Sequence, residues 1–183
     1  MTEASVEEPD GANGPDEEAY AGLFGAIPYA LGSSRSWLFK SYVVVGGLVA
    51  LVVTVLIALA LVTLVSRTAT AGGGSLTLSR AFFVLVGLAV VGPLLAPILF
   101  VARRHRRVGD EKRYDASLAL AGYLFFAALY VGVVITIPAA QQQPVSGALA
   151  GVVAFLYALP GIWGLVPPVA AAVDIYLTHR LLR

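Results

Sequence analysis

Few residues in this chain have the chemistry to act. Across its long apolar stretches, the one ionisable side chain other than tyrosine is Asp174. Ion-coupled transporters and proton pumps place a carboxylate or histidine deep in the helix bundle, and nothing of that kind lies at the centre of any stretch. Asp174 falls near the end of the last one. His179 and Arg180 follow it at offsets of five and six, poor faces for direct pairing on a helix. Asp174 therefore reads as an interfacial carboxylate that positions a helix end.

The two histidines, His105 and His179, sit in the arginine clusters RRHRR and HRLLR. Neighbouring positive charge opposes both protonation and metal binding there. There is no cysteine, no HExxH pair and no Gly-x-Ser-x-Gly elbow, so metal ligation, a cofactor and nucleophilic catalysis are not expected. The glycine triplet at 72–74 lacks the following Gly-Lys-Ser/Thr of a phosphate-binding loop. The expectation is a protein that is not an enzyme.

Positive charge is concentrated in Arg103, Arg104, Arg106 and Arg107, with Lys112 and Arg113 close behind. A cluster of this size beside an apolar span suits anionic lipid head groups or an acidic partner protein. It is short and lacks interleaved aromatics, which argues against nucleic acid. Its firmest reading is topological, because Lys and Arg are retained on the cytoplasmic side of a membrane.

The elements that must carry these residues are read from composition. Of 183 residues, 58% are hydrophobic and 13% charged, with a mean hydropathy of +0.84; soluble domains carry about 25% charged residues. Runs of more than 20 residues without a charge fit the roughly 30 Å hydrocarbon core of a bilayer. Spans are expected at about 42–65, 81–102, 116–138 and 148–176. The first carries a small-residue stripe at Gly46, Ala50, Thr54 and Ala58, which permits close helix approach. The second and fourth are interrupted by Gly92-Pro93, Pro97, Pro160-Gly161 and Pro167-Pro168, where kinks are expected.

Residues 1–19 hold seven of the eleven acids and almost no large apolar side chain, and read as a disordered acidic tail. Residues 20–36 read as a short interfacial helix and linker, with Tyr20, Phe24, Ile27 and Leu31 on one face. Residues 66–80 read as a flexible external loop around the glycine triplet. With both termini inside, ten of the twelve bases lie on the cytoplasmic side, and Arg67 and Arg80 alone lie outside. The fold class expected is all-α: an integral membrane four-helix bundle of two helical hairpins, preceded by the interfacial helix.

The acidic amino tail, the ten Arg against two Lys, and the run YALGSSRSWLFKSYVVVGGLVALVV at 29–53 resemble uncharacterised small multi-pass membrane proteins of haloarchaea. The resemblance implies a multi-pass protein of a haloarchaeal cell membrane and brings no activity or site residues with it.

Two functions fit. The first is a non-enzymatic membrane protein acting through helix association, as a homo-oligomer or with a membrane protein partner. The alternative is a small transporter or permeation module with a midplane site at the broken fourth helix, built from Tyr157, Pro160, Gly161 and Trp163.

Overall fold

In the computed structural model, residues 22–69, 74–109 and 111–182 are described, 22–24 and 74–77 by their backbone alone. The acidic segment 1–19, Tyr20, Asp110 and Arg183 lie outside the described residues. Among the described residues six α-helices follow one another: α1 (Gly22–Ser33), α2 (Trp37–Arg67), α3 (Gly74–His105), α4 (Lys112–Ile135), α5 (Ala150–Ala158) and α6 (Val166–Leu181). Two 3₁₀ turns, Ala139–Gln141 and Gly161–Leu165, flank α5, and there is no strand among the described residues. Among the described residues four segments are long and apolar enough to cross a membrane: Trp37–Arg67, Leu78–His105, Lys112–Thr136 and Gly161–Leu181.

The first hairpin is longer and its loop shorter than the sequence reading has them. Ser36 caps α2, its Oγ accepting from the Phe39 N–H at 3.3 Å, which satisfies one of the donors a helix start leaves open. At the far end α2 stops at Arg67, and α3 starts at Gly74, inside the segment expected to be a loop. Arg80, on α3, donates to the Thr68 carbonyl at 3.1 Å and to Thr68 Oγ1 at 2.7 Å, tying the end of α2 to α3. Apolar Leu76 and Leu78 beside the glycines favour extending the helix over leaving backbone groups unpaired in an apolar setting. Both Pro93 and Pro97 are accommodated within a single continuous α3.

The last apolar stretch divides where proline and glycine predict. Helix α5 ends at Ala158, the chain is extended at Leu159 and Pro160, and the Gly161–Leu165 turn leads into α6 with Pro167 and Pro168 in its first turn, where a missing N–H costs nothing. The membrane-length run begins at Gly161, later than the 148–176 read from sequence. Two glycines set its position: Gly164 packs on Gly132 of α4, and a Cβ on either would run into the other's carbonyl.

Helix α4 is the centre of the bundle. It contacts α2, α3, α5 and α6, and its buried side runs from Tyr114 through Leu118, Ala121 and Phe125 to Ala128 and Val134. The Tyr42 ring of α2 lies over Gly122, where a side chain would overlap it. Its hydroxyl donates to the Leu94 carbonyl at 2.7 Å, and its edge meets Tyr123 at 5.3 Å between centroids. One end holds Arg35, Lys40, the bases of 103–113 and Arg180, and Arg67 and Arg80 lie at the opposite end. The core is densest toward the basic end, around Phe39, Tyr42, Leu94, Ile98, Val101 and Tyr114. Toward the opposite end the α2–α3 pair leaves most of its surface uncovered.

Helix α1 is folded onto this core. Among its described side chains the fully buried ones are Ala26 and Ala30, so this part of the docking face is centred on two small side chains, with Ile27 and Leu31 at its margin. Small residues let the α1 backbone come close to α3; of the face expected from the sequence, Ile27 and Leu31 are half-buried here, and Tyr20 and the Phe24 side chain lie outside the described residues.

Candidate functional site

Eight polar side chains converge at the basic end, carried by α1, α3, α4 and α6 and the residues beside them. Asp115, in the first turn of α4, is completely buried. Its Oδ2 accepts from the Ser34 hydroxyl, and its Oδ1 lies 2.9 Å from His105 Nε2. His105, the last residue of α3, has 3% of its side chain exposed, and its Nδ1 lies 2.9 Å from Ser33 Oγ. With the proton on Nε2 donated to Asp115, Nδ1 accepts from the Ser33 hydroxyl. Ser34 Oγ also accepts from the Ser36 N–H at 3.1 Å. Thus the Ser33-Ser34 pair at the end of α1, the α3 terminus and the α4 start form one hydrogen-bonded clasp.

A second network lies beside it. Tyr114 Oη is bonded to His179 Nδ1, and the His179 ring stacks on Phe100 at 4.2 Å between centroids and 11° between planes. Arg104 lies 4.1 Å over the Tyr114 ring, pairs with Glu111, and donates to the Leu182 carbonyl at 2.9 Å. That last bond satisfies one of the carbonyls exposed at the end of α6. Together the two networks fasten α1, α3, α4 and α6 at one level.

Neither network was read from the sequence. Arg clusters flank both histidines, yet each finds partners across the fold that the linear neighbours do not reveal. The buried Asp115 carboxylate is a partner of His105 that the arginines flanking it in the chain do not reveal. The signal available in the sequence was Asp115 itself, an acid set in a basic run at the start of an apolar span. A Ser–His–Asp order of hydrogen bonds is also the arrangement that activates a hydroxyl nucleophile. Here both the imidazole and the carboxylate are enclosed between helices, which suits holding α1 in place.

The residues singled out from sequence are distributed as follows. Arg103, Arg104 and Arg107 line a cavity of about 210 Å³ with Phe100, Val108 and His179, while Arg106 is exposed outside it. Asp174 faces a crevice of about 390 Å³ between α4 and α6, with Ser117, Leu120, Ala121, Leu124 and Thr178, and has no ion pair with Arg180 or His179. Pro160, Gly161 and Trp163 are exposed, and Tyr157 is half-buried on α5. Through Gly164 against Gly132 and Thr136, the broken segment is level with the end of α4, about 30 Å along that helix from Lys112 at 1.5 Å per residue. These four residues stand toward the end of the bundle away from the bases. A larger apolar groove of about 610 Å³ runs below them between α3 and the α4–α6 pair, past Val86, Ala89, Leu129, Pro168, Ala172 and Tyr176. Among the described residues no group of three His, Cys, Asp or Glu is placed to hold a metal ion.

The chain matches, over residues 1–183, the family described as Domain of unknown function (DUF8056), and belongs to it. No curated protein and no solved structure matches it.

Proposed function

We propose that this DUF8056 member is a non-enzymatic integral membrane protein that acts by associating through its transmembrane helices, with itself or within a larger membrane complex. The observation that carries this reading is the unequal packing of the bundle. The most apolar window of α4 is 44% buried, whereas that of α2 is 6% buried. Gly46 and Ala50 of the small-residue stripe are turned into the chain, and Thr54 and Ala58, one and two turns on, remain exposed. Association in a bilayer gains from close packing at small residues, and α2 offers such a face in its outer half.

The same reading puts both termini and the basic end on the cytoplasmic side of a cell membrane, following the distribution of Lys and Arg. The resemblance to haloarchaeal membrane proteins adds the kind of cell. The enclosed Ser33–His105–Asp115 chain supports a structural role over a catalytic one.

The test is the mass of the protein extracted from native membranes in a mild detergent and measured with the detergent shell subtracted. A defined oligomer or complex is expected, and a chain that is monomeric at every concentration would refute the proposal. The second reading, a permeation module for a neutral or apolar solute, rests on the 610 Å³ groove beside the broken segment. Replacing Ala172 with Phe would fill it. That reading fails if solute flux in vesicles is unchanged by the substitution.

A further inference from the structure

The cavity between the ends of α3 and α6 has a composition that the association reading leaves unused. Its wall is apolar, from Phe100 and Val108, and its polar groups are Arg103, Arg104, Arg107 and His179, with no acidic residue among the described residues that line it. The α3 turn continues past His105, since the N–H groups of Arg107 and Val108 both donate to the Arg104 carbonyl at 2.9 Å. Arg103 and Arg107, four residues apart, therefore share a face.

The three arginines are differently engaged. Arg104 is spent within the fold on Glu111, the Leu182 carbonyl and the Tyr114 ring. Those bonds neutralise the negative end of α6, which would otherwise repel an anion. Arg103 and Arg107 are exposed and make no hydrogen bond or ion pair among the described residues. Planar guanidinium groups on one face are suited to the paired oxygens of a phosphate. Val108, on the cavity wall, is 77% exposed, and Leu181 and Trp37, at the same end of the bundle, are 80% and 82% exposed. Exposed apolar and aromatic side chains at the level of the bases mark the boundary between hydrocarbon and head groups.

We infer that this cavity binds the phosphate group of an anionic phospholipid, with Arg103 and Arg107 gripping the phosphate and Phe100 and Val108 facing the glycerol and upper acyl chain. The same chemistry would accept a soluble phosphate, so the experiment has an arm for each source. This site is separate from the outer face of α2, and its failure would leave the association reading untouched.

Purified full-length protein in a neutral detergent is titrated with phosphatidylglycerol, phosphatidylcholine and inorganic phosphate. Two double variants carry the same change of charge: Arg103→Gln with Arg107→Gln in the cavity, and Lys112→Gln with Arg113→Gln on the exposed start of α4. The cavity pair is expected to weaken phosphatidylglycerol binding by about tenfold or more, the scale of two juxtamembrane bases, and the α4 pair by less than about threefold. Arg103→Lys with Arg107→Lys should retain most of the binding. Displacement of the lipid by millimolar inorganic phosphate would assign the site to the phosphate group from either source; resistance to it would assign the site to the lipid. Equal losses in the two Gln doubles, or none in the cavity pair, would overturn the assignment. So would tighter binding of phosphatidylcholine than phosphatidylglycerol. The unfolding midpoint of every variant should match the parent, because the substituted side chains make no hydrogen bond or ion pair among the described residues.

Discussion

Substituting Asp115 by Ala should release α1 from the bundle while leaving the bundle itself folded. Asp115 accepts hydrogen bonds from Ser34 and lies 2.9 Å from His105 Nε2, with no solvent access. Its removal takes the acceptor from the Ser34 hydroxyl and from His105 Nε2, and breaking one side of a buried pair costs about 3–5 kcal/mol. Undocking α1 restores water to Ser34 and His105, so that cost falls on the docked state alone. Taking the lower figure, the undocked fraction rises roughly 150-fold, at 1.4 kcal/mol per factor of ten. The chain has no cysteine, so Ala30→Cys, at a fully buried position of the α1 face, gives a probe free of background. The rate of thiol labelling in membranes should rise by about two orders of magnitude when Asp115→Ala is added. Asp115→Asn, which keeps one acceptor oxygen, should raise it by roughly tenfold, the cost of one unsatisfied buried donor. A labelling rate unchanged within about twofold in Asp115→Ala would mean that the clasp does not hold α1.

Further outcomes follow from the close helix contacts. Gly122→Ala puts a methyl group into the Tyr42 ring and displaces its hydroxyl from the Leu94 carbonyl; the expected loss is about 1–3 kcal/mol. Gly47→Ala, with open space at the same level of α2, should instead be neutral or stabilising by up to about 1 kcal/mol, and the pair can be compared by unfolding in a denaturing detergent. Gly164→Ala collides with Thr136 and the Gly132 carbonyl. It should loosen the Gly161–Leu165 turn from α4, seen as faster hydrogen exchange across residues 159–168 with α2 and α3 unaffected.

Much of this architecture was legible in the chain. Apolar length alone marks four membrane-length segments, and Pro160-Gly161 marks the break that separates α5 from α6. Glycine was harder to read. The triplet at 72–74 looks like a flexible loop, yet α3 begins at Gly74, and Arg80 reaches Thr68 to close the hairpin. Loop length depends on how far the neighbouring helices pack, which local composition does not encode. The clasp was hidden for a related reason. Ser33, His105 and Asp115 are separated by 72 and 10 positions, and their meeting requires α1 to dock by Ala26 and Ala30, residues with little hydrophobic weight. His179 likewise acquires its role only where α6 comes beside α3 and α4. The arginine cluster, by contrast, was visible at once, and the fold divides it into Arg104, which is bound internally, and Arg103 and Arg107, which face a cavity.

The central claim is that the outer face of α2 meets another transmembrane helix. It is tested most directly by single cysteines introduced on α2 in native membranes, followed by oxidation. Thr54→Cys and Ala58→Cys lie on the exposed small-residue face, and Val52→Cys and Leu59→Cys on a different exposed face of the same helix. The account predicts disulfide-linked dimers, or protection from thiol labelling by a partner, at 54 and 58 and at neither control. Equal behaviour at all four positions, with each labelled freely and none cross-linked, would contradict it.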